Sequence, residues 1–283
     1  MSKIKTGERN AFTLVELLVV ISIIALLLAV LMPALQKARE QARTVLCGAG
    51  LHQWGMVIPM YANDNKGQIP QSPVVGNFAW LNLVGDVDVV TGTKYYFTGK
   101  EFSVVLLERY IPGVDRRNHN LGKGIWFCPS FPQQKDYYMH DPIESYKAKG
   151  YFHSAYSYFG RVKSWVDIDP GAATNGQIAE IKKMIIRDLT DTLANSGRKL
   201  LMADQLINET TLGRGWAYNH GKTGPSWPIR GTIKVPCNMG PPPVAGTNNL
   251  YSDGSVVWKA KFNPKQMQDM RKTVMPRTQL YTW

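Results

Sequence analysis

Glu16 is the only charged residue in the run FTLVELLVVISIIALLLAVLM, which extends from Phe12 to Met32. A carboxylate inside an apolar span costs about 2.5–3.5 kcal/mol on insertion scales, so it needs a partner or an escape to the membrane interface. Other chemistry-bearing side chains are scattered: Cys47, Cys128 and Cys237, and His52, His119, His140, His153 and His220. One constellation stands out, His220 with Asp204 and Asp253, in which two carboxylates at strand ends converge with an imidazole as acid–base groups or as weak metal candidates. Against it stands a plain reading, with Asp253 making a turn and His220 bonding a loop. No HExxH, GxSxG, P-loop or GxGxxG pattern joins these residues, and no cysteine belongs to a CxxC pair. The missing catalytic motifs argue against an enzyme, and the missing CxxC pair argues against a zinc site.

The elements that must carry these groups follow from periodicity. At about 1.5 Å per residue, twenty apolar residues span about 30 Å, the hydrocarbon thickness of a bilayer. Residues 12–34 therefore predict a transmembrane helix. The run is too long for the apolar region of a secretory signal, and no small-residue cleavage pattern follows it. Lys3, Lys5 and Arg9 lie before the span and Lys37, Arg39 and Arg43 after it, so positive-inside counting leaves orientation open. Over residues 35–62 the helix continues amphipathically, with Leu35, Ala38, Ala42, Val45 or Leu46, Ala49, Trp54, Val57 and Tyr61 at three- and four-residue spacing. Pro33 predicts a kink, Gly48, Gly50, Gly55 and Pro59 weaken the far end, and Asn63 to Gly67 form a turn signal.

Residues 63–283 mix short β-like runs with turn clusters. Strands are predicted at Gly124–Cys128, Tyr156–Val162 and Lys199–Asp204, with a hairpin around Asp253-Gly254. Helices are predicted at Gln177–Leu189 and at Pro264–Thr273, the latter with Asn263 as N-cap. The sum is an α+β chain, one long N-terminal helix packed on an antiparallel sheet.

The chain has 283 residues, 44% of them apolar and 19% charged, a globular composition that can bury a core without disulfides or a metal. Its formal net charge is +12. Residues 1–11 carry three of the cations and one acid, leaving +10 without them. A basic head admits nucleic acid or anionic glycan as a ligand, although Arg116-Arg117 and Lys182-Lys183 are only short pairs without interleaved aromatics.

The string Ala11-Phe12-Thr13-Leu14-Val15-Glu16-Leu17-Leu18-Val19-Val20-Ile21, behind a short polar basic leader, resembles the processing site of type IV prepilins and type II secretion pseudopilins. The resemblance implies a cut between Ala11 and Phe12 by prepilin peptidase and N-methylation of Phe12. Glu16 is then the fifth mature residue and Pro33 the twenty-second, where family members often carry a helix-bending proline. Ala11 departs from the usual glycine. The resemblance also implies a filament subunit whose partners are other copies, related pilin-like subunits, the peptidase and an inner-membrane assembly platform, with the head in the periplasm. Glu16 would neutralise the Phe12 amine, within one chain or between neighbours; both geometries remain open.

A second resemblance, to a bacterial pilin-like subfamily, rests on Cys47 to Gly55, Tyr61 to Pro70, Phe127-Cys128-Pro129-Ser130 and Tyr251 to Trp258, with His220 as the histidine that precedes the Asp-Gly hairpin. Some pseudopilins hold calcium in a late loop, but this chain has no EF-hand-like string of acids. A head outside the cytoplasm meets an oxidising compartment, and there Cys47 and Cys128 are the expected disulfide, with Cys237 free. Such a bridge closes a loop of 80 intervening residues, worth about 4 kcal/mol in a chain-entropy estimate. The rival reading is a membrane-tethered envelope module whose basic head captures nucleic acid or glycan.

Overall fold

The computed structural model describes residues 13–72, 74–75, 78–79, 83–85, 95–96, 102–122, 124–130, 142–161, 199–209, 215–221, 244–260, 268–269 and 279–282. The leader, Phe12, His140, Cys237 and the expected helix Gln177–Leu189 lie outside these residues. The chain is α+β: one long helix, Leu14–Asp64, precedes a series of short antiparallel strands interspersed with the shorter helices Val104–Leu107 and Pro142–Lys149. It divides into two compact units, Met1–Ala42 and Arg43–Trp283.

In the first unit every described residue from Thr13 to Arg39 is exposed. Leu14, Ile21, Leu27 and Met32 are each more than half exposed. An uncovered apolar surface of this length is unstable in water and fits lipid or neighbouring subunits. The helix continues through Pro33.

In the second unit the helix buries Cys47, Leu51, Trp54, Val57, Ile58, Tyr61 and Ala62. The stripe therefore begins at Cys47. Leu35, Val45 and Leu46, expected on it, are exposed. Gly48 and Gly55 do not end the helix; they let it approach the sheet closely. A Cβ at Gly48 would lie 3.2 Å from Asn248 Oδ1, and one at Gly55 would lie 3.1 Å from Leu250 Cδ1 and 3.3 Å from the Gly254 carbonyl. The helix stops where the turn signal predicts, with the Asn65 and Gly67 amides both donating to the Ala62 carbonyl and Lys66 and Gly67 at positive φ.

The sheet under this stripe has the strand order Val256–Ala260, Gly246–Tyr251, Leu200–Asp204, Tyr156–Tyr158, all antiparallel. Its first two strands form the expected hairpin, with Gly254 at φ 81°. A second sheet orders Gly215–Tyr218, Leu206–Glu209, Gln279–Thr282 and Gln268–Asp269. Gln268–Asp269 is thus a strand where a helix was expected, because backbone pairing with Tyr281 and Thr282 overrides local propensity.

Gly124–Cys128 is likewise a turn rather than a strand. The Phe127 amide closes on the Gly124 carbonyl at 3.1 Å, and Gly124 has φ 74°. Trp54 holds this turn by donating its indole N–H to the Ile125 carbonyl at 2.8 Å. Around it Trp54, Phe102 and Trp126 pack at centroid distances of 4.7–5.8 Å, and Phe102 stacks on Tyr158 at 4.2 Å.

Candidate functional site

Glu16 and Thr13 build the start of the helix together. The Thr13 amide and hydroxyl donate to Glu16 Oε2 at 2.8 and 2.7 Å, and the Glu16 amide donates back to Thr13 Oγ1 at 3.2 Å. This is a capping box, a reciprocal arrangement that satisfies amides otherwise orphaned at a helix start. The Thr-x-x-Glu spacing ahead of an apolar run is its sequence signature; considered only as an ionic group, Glu16 conceals it. Ala11 and Phe12 lie outside the described residues.

The second site is buried in the Arg43–Trp283 unit. Cys47, Cys128, Asp204 and His220 each offer a ligand atom, all within 4.8 Å of one another, and all four residues are buried. Cys47 comes from the helix stripe, and the turn held by Trp54 presents Cys128. Asp204 ends the strand Leu200–Asp204. His220 follows the strand Gly215–Tyr218: Leu206 pairs with Tyr218 and the Asn219 amide bonds the Gln205 carbonyl at 3.2 Å, so the chain returns to the end of the Asp204 strand and the two side chains meet. On the ladder of the Asp204 strand itself, Tyr156 pairs with Asp204 on one edge and Asn249 pairs with Ala203 on the other, which brings Asn248 to Asp204.

The Asp204 carboxylate is fully engaged. Its Oδ1 accepts from Cys47 Sγ at 2.9 Å and Asn219 Nδ2 at 3.1 Å. Its Oδ2 accepts from the Asn248 amide at 2.6 Å and Asn248 Nδ2 at 3.0 Å, and lies 3.2 Å from His220 Nε2. Cys128 Sγ is 3.4 Å from the same Nε2, while His220 Nδ1 faces Thr44 Oγ1 at 3.4 Å. Burial pushes the Cys128 thiol up, but hydrogen bonds from Cys47 and His220 outweigh it and bring it down to about 7. Burial, reinforced by Cys128 and the Asp204 charge, pushes Cys47 far above the usual thiol range. A first proton leaves this pair readily; a second negative charge beside Asp204 is opposed unless a cation shares the site.

Cys128, His220 and Asp204 are the residue types of a thiol nucleophile triad, yet their arrangement differs from one. A triad places nucleophile and carboxylate on opposite ring nitrogens, whereas here sulfur and carboxylate both face Nε2. Convergence of four donors on one point is the geometry of ion binding.

Of the expected site residues, the structure gathers Asp204 with His220 and brings Cys47 beside Cys128. Both cysteines are free thiols, so the expected disulfide is not formed in this structure. Asp253 instead makes the hairpin turn, its Oδ1 accepting from the Ser255 amide at 2.9 Å and hydroxyl at 2.6 Å. His52 is exposed, His119 is half-buried against Tyr146, and His153 is buried outside the four-residue cluster. The ligand set escaped sequence reading because its four members are separated by long intervals and share no motif.

Residues 8–32 match the prokaryotic N-terminal methylation motif. The chain carries that motif. It is typical of type IV pilins and pseudopilins, and it coincides with the uncovered apolar helix and the capped Glu16. Comparison with curated proteins and with solved structures returns no match.

Proposed function

We propose that the chain is a structural subunit of a type IV pilus-like or type II secretion pseudopilus filament. Prepilin peptidase cuts it between Ala11 and Phe12 and methylates Phe12. The helix then rests in the inner membrane with the head in the periplasm until subunits polymerise through it. The methylation motif on an uncovered apolar helix carries this reading. A second feature supports it: Val45, Met56 and Met60 are each more than half exposed and share one face of the helix away from the buried stripe. That face suits contact with neighbouring helices.

Glu16 has a definite task in this scheme. Before the cut its carboxylate is held by two Thr13 donors. The cut creates an ammonium group at Phe12, one residue from Thr13, and a charge in an apolar filament core needs a counter-charge. Glu16 supplies it to its own chain or to a neighbour. Intact-mass measurement on protein from its native membrane should show loss of residues 1–11 and gain of one methyl group. Sheared-filament yield at matched membrane levels should fall at least tenfold in both Glu16→Ala and Glu16→Gln, because Gln keeps the shape but not the charge. Equal yields from all three proteins would remove Glu16 from assembly and favour the tethered, ligand-capturing module.

A further inference from the structure

The proposed filament role leaves four buried donors on the Arg43–Trp283 unit unassigned. We propose that Cys47, Cys128, Asp204 and His220 form a structural Zn²⁺ site, and the convergence of their ligand atoms within 4.8 Å points to it. Two sulfurs, one imidazole and one carboxylate are a donor set of the borderline-soft kind that zinc takes in four-coordinate sites. Calcium, which requires six to eight oxygens, does not suit it.

The spacings agree with an ion at the centre. With Zn–S near 2.3 Å and Zn–N and Zn–O near 2.0 Å, the edges of a tetrahedral site are about 3.3–3.8 Å. Cys128 Sγ to His220 Nε2 is 3.4 Å and His220 Nε2 to Asp204 Oδ2 is 3.2 Å. The Cys47 Sγ to Asp204 Oδ1 distance of 2.9 Å is a thiol hydrogen bond, which the ion replaces. Binding is balanced by proton release: Zn²⁺ takes two thiolates as two thiol protons leave, with no change in oxidation state.

The surrounding shell is built as metal sites build theirs. Thr44 Oγ1 engages His220 Nδ1 and leaves Nε2 aimed at the cluster. Asn219 and Asn248 fix the carboxylate through three hydrogen bonds. With four protein ligands and no exposed member, the site is closed, which marks a structural rather than a catalytic ion. It ties the helix to the turn at Cys128, to the end of the strand Leu200–Asp204 and to the residues that follow the strand Gly215–Tyr218. The same sulfurs cannot be both ligands and a disulfide, so the ion and the bridge are alternatives.

Full-length protein extracted from its membrane without chelator should contain one zinc per chain by elemental analysis. After exchange, Co²⁺ should show thiolate charge-transfer and tetrahedral ligand-field bands, a readout on the unmutated chain. Cys128→Ser and His220→Gln should each lower zinc content at least tenfold, and Thr44→Val should weaken affinity about tenfold. Cys237→Ser should keep full occupancy. The proposal is overturned by a Cys47–Cys128 disulfide in non-reducing peptide mass analysis of the native material. It is equally overturned by two free thiols that take up no Zn²⁺ on titration, by octahedral Co²⁺ bands, or by zinc loss in Cys237→Ser.

Discussion

Glu16 and Asp204 are both carboxylates held by hydrogen bonds, and the chain holds them in opposite ways. Glu16 is exposed among the described residues, and its partners are local, three residues away. Asp204 is 3% exposed, and its partners come from 15, 44 and 157 residues away. A local, exposed acid completes the start of its own helix. An acid enclosed by distant segments completes the fold itself.

The largest expected effect separates the two. Asp204→Ala removes the acceptor for Cys47, Asn219 and Asn248 in a dry interior and should cost about 4 kcal/mol. Urea unfolding of the detergent-extracted chain, followed by tryptophan fluorescence, measures it. Glu16→Ala should leave the same transition within about 0.5 kcal/mol. If both variants unfold alike, the contrast fails.

A middle effect tests how tightly the helix stripe lies on the hairpin. Gly55→Val puts branched bulk against Leu250 and the Gly254 carbonyl, and the backbone side of that contact cannot swing away. A loss of about 2 kcal/mol in the same urea transition is expected. An unchanged midpoint would mean that helix and hairpin are less closely fitted than these distances imply.

The smallest effect belongs to Thr13. Thr13→Ala deletes the reciprocal cap and should cost the helix start about 1 kcal/mol. Amide exchange at Val15 to Leu17 in detergent should then quicken about fivefold, while the buried sheet is unaffected. Equal acceleration in the sheet would show that the two regions are coupled.

The contrast also explains what could be read from the sequence. Local features were legible: the apolar run, the stop at Asn63 to Gly67, the Asp253-Gly254 hairpin, and strands at Tyr156 and Leu200, since each depends on neighbours in the chain. Gly124 to Cys128 reads as a strand by residue type, yet Trp54, seventy-one positions earlier in the chain than Ile125, holds it as a turn. Gln268–Asp269 pairs through its backbone in the same non-local way. The four-donor cluster lies at the far end of this scale. Its two cysteines read as a disulfide because compartment and position were visible, whereas the convergence of Asp204 and His220 on them depends on the register of separate strands.

The buried stripe from Cys47 to Ala62 also has a consequence in time. Its partners include Ile125, Tyr156, Asp204, Asn248 and Leu250, so the first segment made is among the last to be covered. At about 5–20 residues per second, synthesis from Ala62 to the hairpin takes about ten to forty seconds. For that interval Leu51, Trp54 and Ile58 leave the ribosome without their sheet, directly behind the apolar run that ends at Met32.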